Sequence, residues 1–338
     1  MALLLAEALR ERGHEMLFAA PESDSLERFG EAGFAAYPMA IRSRLPVAGI
    51  RALAGLMRAE GVQVAHCHSR RAGIVGLPAA RLARVPAKVL HVHSLATAAG
   101  SKCVSRLAFQ SLRLLADRVI YCSEATREST GAGAHRRAVV IPNGIDLCFP
   151  PRQVRESAPL VLSVGRLAEA KGYRTLLEAV PLVASEMPAV RFEVAGDGEL
   201  REELLALRAQ LGLGDRLTFL GFVDDVRPLL ARASVFVMPS TREGHPLALL
   251  EATAAGVPAV ATAVGEIPFV LGEGERGTLV PAGSPEALAE GILHALRRPE
   301  EARRRAEAAR AWVHQGYSVH AMAGAIERLY RELLGTPP

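Results

Sequence analysis

Cysteine is scarce and scattered in this chain. The four cysteines in 338 residues, Cys67, Cys103, Cys122 and Cys148, form no CxxC pair. That excludes a zinc knuckle and a disulfide scaffold, and it fits a reducing cytosol. Aromatic residues make up only 5% of the chain and are not interleaved with basic ones, so no nucleic acid is expected as a partner. No apolar run of about 18 residues free of charge occurs, which argues against a membrane-spanning helix. The opening "MALLLAEALRERG" lacks the basic residues that start a leader peptide, and Glu7 interrupts its apolar run. It reads as an amphipathic helix.

Half of the residues are hydrophobic, enough to bury a large core, and the length suggests two domains. Charge is unevenly shared. Residues 1–150 hold 19 Lys+Arg against 12 Asp+Glu, a net of +7, and the remainder hold 21 against 24, a net of −3. A basic half suits an anionic partner such as a membrane surface or a phosphorylated acceptor. A solvated Arg-rich surface gives the same count.

The second half alternates apolar strands with helices: "LVLSVG", "YRTLLEAVPLVAS", "VRFEVAG", "ELREELLALRAQLG", "LTFLG", "DVRPLLARA", "VFVMPS", "AVATAV" and "GTLVP", then three helices over 284–297, 299–315 and 318–334. The first half repeats the pattern with "EMLFAA", "VQVAHCHS", "KVLHVHS", "RVIYCS" and "AVVIPNG" as strands. Apolar strands separated by helices specify parallel sheets covered on both faces. The expected fold class is α/β, with two doubly wound domains facing a cleft. Their boundaries are 1–148, 149–317 and a closing helix over 318–338. In such sheets ligands sit beyond the carboxyl ends of the strands. A doubly wound domain opens on a central strand, whereas this sequence opens on a helix. A central strand and its strand-to-helix loop are therefore expected to be missing, leaving a gap that closes only if the neighbouring strands pair directly.

Three stretches could carry chemistry. In "LSVGRLAEAKGYRTLLEA" a strand ends at Gly165, and Arg166 and Lys171 follow in a short loop. A guanidinium and an ammonium at a strand's carboxyl end suit a diphosphate, although surface charge reads the same way. The spacing is not that of a P-loop, and "VAGDGEL" around Gly196 lacks GxGxxG. In "TREGHPLALLEATAAG", Pro246 suits the first position of a helix that Gly256 stops. Glu251 then lies roughly 7–8 Å along the axis from Pro246, with Glu243 before the helix in a loop. Two carboxylates so placed cannot share one proton, but they can hold separate parts of one ligand. Two HxH pairs, His66/His68 and His91/His93, end two strands with each pair on one strand face. The pairs could suggest metal, yet no carboxylate lies nearby in sequence. Arg70 and Arg71, where a strand meets a helix N-terminus, could bind an acceptor phosphate. A solvent-exposed turn is the competing reading.

In this order, "VGRLAEAKG", "VAGDGEL", "FLGFVDD" and "EGHPLALLEATAAGVPAVATAVGEIPFVL" resemble the C-terminal domain of the family-4 retaining glycosyltransferases with the GT-B fold. The first half resembles that family more loosely, through "RGHEM", "HCHS", "HVHS", "CSEATRE" and "IPNGID". The closing "YSVHAMAGAIERLYREL" is similar to the family's last helix, which crosses back to the N-terminal domain.

The resemblance implies an enzyme that moves a sugar from a nucleoside diphosphate donor to an acceptor hydroxyl with retention. UDP is the expected nucleotide and GDP the alternative. Arg166 and Lys171 would neutralise the diphosphate, and Gly165 and Gly196 would line the donor site; the Gly-rich loop that precedes the first helix in that family would be missing here. Glu251 would accept hydrogen bonds from the ribose hydroxyls. Glu243 would face the sugar, and the backbone of Gly244, His245, Pro246 and Leu247 would face its hydroxyls or the phosphate. His245 departs from the apolar or aromatic residue frequent there; contact with the sugar and packing within the loop are both open. His93 would lie near the reacting sugar, while His66 and His91 are read as structural. No cofactor and no metal are expected. A lipid-linked or saccharide acceptor and a cytoplasmic enzyme peripheral to the inner membrane face complete the expectation. A sugar-nucleotide epimerase of related fold, or an inactive nucleotide-sugar-binding fragment, is the alternative.

Overall fold

The computed structural model describes residues 1–39, 47–93, 102–131, 136–153 and 158–336. The chain divides into two compact units, Met1–Gly144 with Val319–Pro338, and Ile145–Ser318.

The first unit runs α1 (Ala2–Glu11), β1 (Leu17–Ala20), α2 (Asp24–Glu31), β2 (Ala35–Pro38), α3 (Val47–Ala59), β3 (Val64–His68), α4 (Arg70–Ala83), β4 (Ala87–Val92), α5 (Lys102–Leu115), β5 (Arg118–Tyr121), α6 (Glu124–Ser129) and β6 (Ala138–Val140). All its strand pairings are parallel, in two ladders: β1–β2 and β3–β4–β5–β6. Among the described residues no ladder joins β1 to β3, so these two strands do not pair directly. The short strand β2 was not read from the sequence; "AAYP" is half-exposed and offers no apolar run to betray a strand.

Alternation sorts the first unit's core onto two faces. Val89 and Ile120 pack with Leu5 and Leu9 of α1 and with Met322, Ile326 and Tyr330 of the closing helix. Leu90, Val92, Val119 and Tyr121 pack on the opposite face with Leu77, Phe109 and Leu112 of α4 and α5. His91 and His93 continue the Val89 face toward the strand's carboxyl end.

The second unit runs β7 (Leu160–Val164), a 3-10 turn over Glu169–Lys171, α7 (Tyr173–Glu186), β8 (Arg191–Ala195), α8 (Arg201–Gln210), β9 (Leu217–Gly221), α9 (Arg227–Arg232), β10 (Val235–Met238), α10 (Leu247–Ala254), β11 (Ala259–Thr262), α11 (Ile267–Val270), β12 (Thr278–Val280), α12 (Pro285–Arg297) and α13 (Pro299–Gly316). Its six strands are all parallel, in the order β12-β11-β10-β7-β8-β9. The chain winds outward from β7 to β9, then returns to the other side of β7 with β10. Strand order therefore reverses between β7 and β10, and that is where a doubly wound sheet opens a crevice. Val161, Phe192, Val194, Val235 and Val237 pack under α7 and α12. Leu162, Phe236, Met238 and Ala261 pack under α10 and α11. Each fully buried aliphatic or aromatic side chain contributes about 1.5–3 kcal/mol.

The last helix, α14 (Val319–Leu334), belongs to the first unit and packs on α1. Glu327, only 5% exposed, fixes that contact. It accepts from Arg12 Nε at 2.5 Å and from Arg331 at 2.7 Å. Those two hydrogen bonds, Arg12's first, hold its carboxyl at about 2, below the ordinary 4.5. No helix among the described residues is long and apolar enough to cross a membrane.

A group whose pKa is depressed by folding stabilises the fold in full above its unfolded value and loses that contribution as pH falls toward the folded one. The wild type is therefore expected to lose thermal stability between pH 4.5 and about 2. Glu327→Gln should melt a few degrees lower at pH 7 and show a shallower acid limb. Superimposable melting curves across that pH range would show that the Arg12–Glu327–Arg331 cluster carries no stability.

Candidate active site

Backbone contacts assemble the loops that leave β7, β8 and β10. The β7 and β8 exits are stitched together by Gly165 N–H to Ala195 O and Leu167 N–H to Asp197 O, both 2.9 Å. Gly196 has φ +146°, and a Cβ built there would lie 1.9 Å from Gly165 O. Any larger residue would push the two loops apart. The 3-10 turn before α7 is joined to the β10 exit by Thr241 N–H to Ala170 O at 2.9 Å. Behind Glu243 lies Gly265, φ +55°, where a Cβ would sit 1.7 Å from Glu243 O.

These loops bring together the residues singled out in the second unit. Lys171 Nζ lies 2.6 Å from Glu243 Oε2. The Glu243 side chain is 9% exposed and that of Lys171 27%, so the pair is largely shielded from water. Ser240 Oγ adds a longer contact to the same oxygen, 3.4 Å, and Thr262 Oγ1 pins Ser240 O at 2.6 Å. Arg166 differs. Its side chain is 71% exposed and pairs with Glu199 at 2.8 Å. Gly165 is held by Tyr173, whose buried hydroxyl donates to Gly165 O at 3.1 Å.

α10 starts one residue later than the proline rule placed it. Pro246 is the residue before the first turn, with φ −83° and ψ 73°, and its carbonyl accepts from Leu249 and Leu250. Leu247 N–H bonds to His245 O at 3.0 Å, and Pro246 has no N–H to give. Neither Pro246 nor Leu247 therefore offers the backbone donor expected of it. His245 is 8% exposed and lies over Tyr317, ring centroids 6.1 Å apart. Tyr317 in turn packs on Trp312. The imidazole is thus packed against an aromatic side chain that follows α13. Glu251 lies within the second turn of α10; burial, then the charge of Asp225, pushes its carboxyl above the ordinary range.

In the first unit the four strand-end histidines meet on one sheet face. His66 Nε2 is 3.2 Å from His91 Nδ1, and His68 Nδ1 is 3.0 Å from His93 Nε2. His93 follows directly on β4, and its Nδ1 reaches Asn143 Oδ1 at 3.2 Å. Arg70 opens α4 over the ring of Phe109, 5.9 Å from its centroid. Arg71 is exposed beside it. Ser69, φ 98°, caps that helix through Ala72 N–H.

Tyr173, Glu199, Ser240, Thr262 and Asp225 are not marked by any motif read from the sequence. "VAGDGEL" contains Glu199, and its strand–turn–helix pattern could have flagged that residue as a neighbour of Arg166. The others act through tertiary contacts that no local pattern encodes.

The second unit's six-stranded parallel sheet is doubly wound, with cations and carboxylates gathered where strand order reverses, the arrangement of α/β proteins that bind nucleotides at that crevice. The comparisons narrow it. Residues 148–312 match the family described as glycosyl transferases group 1, and residues 1–149 match glycosyltransferase family 4. The chain is 31% identical to the phosphatidyl-myo-inositol mannosyltransferase of Mycobacterium tuberculosis, covering 99% of this chain and 92% of that one. It is 41% identical over 135 residues to the lipopolysaccharide core biosynthesis glycosyltransferase LpsE of Rhizobium meliloti, covering 40% of this chain and 38% of LpsE. The structure of Alr3699/HepE from Anabaena with UDP and glucose superposes with a TM-score of 0.86 at 21% identity, covering 98% of this chain and 96% of that one. The chain belongs to the family-4 glycosyltransferases and has the GT-B fold.

A shielded ion pair loses more when one partner is removed than when both are replaced. Lys171→Met and Glu243→Gln are each expected to destabilise the second unit, with the double variant less destabilised than their sum by about 1–3 kcal/mol. Urea unfolding of the four proteins measures this. Strictly additive effects would mean the pair is no more than two independent charges.

Proposed function

We propose that this glycosyltransferase moves a sugar from a nucleoside diphosphate donor to an acceptor hydroxyl, with retention, in the synthesis of a cell-envelope glycolipid or polysaccharide. The observation that carries the reading is the gathering of Arg166, Lys171, Glu243 and the start of α10 at the carboxyl ends of β7 and β10. Negative charge grows on the diphosphate as the glycosidic bond to it breaks. Arg166 and Lys171 stabilise that charge, and fixed donors do so without reorganising at the moment of reaction. Glu243 holds Lys171 in place from the other side. Glu251 takes the two ribose hydroxyls, whose hydrogen bonds favour its ionised form against the effect of burial. His93, steadied by His68 and Asn143, attends the reacting sugar. No cofactor enters this scheme, and it calls on no metal for the diphosphate.

UDP is the preferred nucleotide, with GDP the alternative. The UDP held by the HepE structure supports this choice. A lipid-linked or saccharide acceptor is supported by the names of the two relatives, which mention phosphatidyl-myo-inositol and lipopolysaccharide core. The excess of positive charge in residues 1–150 suits an anionic membrane surface, and we place the enzyme in the cytoplasm at the inner membrane face. Arg70 and Arg71 are assigned to an acceptor phosphate.

Purified chain incubated with a panel of UDP- and GDP-sugars, with and without membrane lipid extract, tests this by mass spectrometry. Transfer to a lipid or saccharide from one donor is the expected result. A rearranged or hydrolysed donor with no need of acceptor would replace transfer with epimerase-like chemistry, and donor binding without turnover would leave a binding protein. Within an active enzyme, Arg166→Ala and Lys171→Ala should each cost roughly 2–4 kcal/mol of transition-state stabilisation. Glu251→Gln should raise the donor KM more than it lowers kcat, because ribose contacts are alike in ground and transition states. A collapse of kcat with donor KM intact would move Glu251 to the reacting centre.

A further inference from the structure

Four imidazoles on one face of two neighbouring strands are an unusual expense of polar surface. Parallel register sets His68 directly opposite His91, with His66 and His93 one step away on either side. The rings form two edge-to-edge pairs, His66–His91 and His68–His93, at centroid separations of 5.2 and 5.3 Å. One pair lies on the other, His66 over His68 at 4.3 Å and His91 over His93 at 3.9 Å. One ligand nitrogen from each of His66, His68 and His91 falls within 4.8 Å of the other two.

The surrounding hydrogen bonds decide where the lone pairs are. Asn143 Oδ1 can only accept, so His93 Nδ1 carries a proton and its Nε2 accepts from His68 Nδ1–H. His68 is left with a lone pair on Nε2. His66 Nδ1 lies 2.5 Å from the hydroxyl of Tyr330. A proton on that nitrogen leaves the His66 Nε2 lone pair turned toward His91 Nδ1, 3.2 Å away. Two nitrogens bound to one tetrahedral ion at about 2.0–2.1 Å stand about 3.4 Å apart. An ion can therefore take the place of the one proton that His66 and His91 share, with His91 carrying its proton on the other nitrogen.

We infer that His66, His68 and His91 form a binding site for a late first-row divalent cation, Zn²⁺ being the natural fit for an all-imidazole set. Three imidazoles make a sufficient ligand set without any carboxylate. Tyr330 and the His93–Asn143 chain are the outer partners that orient the ligating rings. The ion would tie β3 to β4 and, through Tyr330, to α14. The two HxH pairs pointed to metal only weakly in the sequence, because their convergence rests on strand register, which sets His68 against His91 and is absent from the local pattern.

The experiment uses the untagged full chain, stripped with EDTA and titrated with ZnCl₂ by calorimetry, with CoCl₂ as a spectroscopic stand-in. The expected result is one ion per chain, visible d–d bands of four- or five-coordinate cobalt, and a melting temperature that rises with zinc. His68→Gln and His91→Gln should each weaken binding by at least about 100-fold, and Asn143→Ala by about 10–100-fold through the outer partners. His320→Gln, an exposed histidine on α14, should bind as the wild type does. No saturable binding to the wild-type chain, or binding that survives in both ligand variants, overturns the site. The readout is the ion itself, so the result is independent of whether sugar transfer is found.

Discussion

A carboxylate that is nine-tenths buried must be given a cation or be neutralised, and in the second unit that constraint fixes Lys171. Glu243 sits on the loop after β10, and Lys171 on the turn after β7. The pair thus spans the point where strand order reverses. Everything else at this end of the sheet serves to hold the two loops at that spacing. Gly265 lets the backbone of Glu243 settle inward, Thr262 and Ser240 secure the loop from below, and Ala170 O accepts from Thr241 N–H. Parallel pairing of β7 with β10 supplies the frame.

The first unit relies on a different economy. Its sheet carries helices on both faces, and the carboxylate of Glu327 locks α14 against α1 through Arg12. The apolar stripe that begins at Val89 then gives way to imidazoles toward the strand ends. Imidazole is flat, half apolar and able to hydrogen-bond at both nitrogens, so it can replace aliphatic side chains in a stack without leaving every polar atom stranded. The face changes from core to chemistry within a few residues of one strand.

Much of the fold was legible because the second unit's strands are short apolar runs bounded by Gly and Pro, and its helices repeat at 3.6 residues. "LVLSVG" and "VFVMPS" could hardly be anything other than buried parallel strands. The pairing of Lys171 with Glu243 was approached through motif order, since the two residues lie more than seventy positions apart. What stayed hidden depends on distance in sequence. Glu199 as the partner of Arg166 and Tyr173 as the support of Gly165 are products of packing. The start of α10 was misplaced by one residue because Pro246 has a ψ of 73°, outside the helical range. β2 escaped because the half-exposed "AAYP" has no hydrophobic signature.

The bond between Arg166 and Glu199 has a thermodynamic corollary. A guanidinium that already holds a carboxylate at 2.8 Å does not wait for an anion; it trades one. Any phosphate that claims Arg166 gains only the difference between two oxyanion partners, and it sets Glu199 loose into solvent. Added salt screens the outgoing contact as well as the incoming one. The ionic-strength dependence of anion capture at Arg166 would accordingly be flatter than a bare arginine would give, and selectivity there would fall to whichever anion offered the guanidinium a better pair of oxygens than Glu199 does.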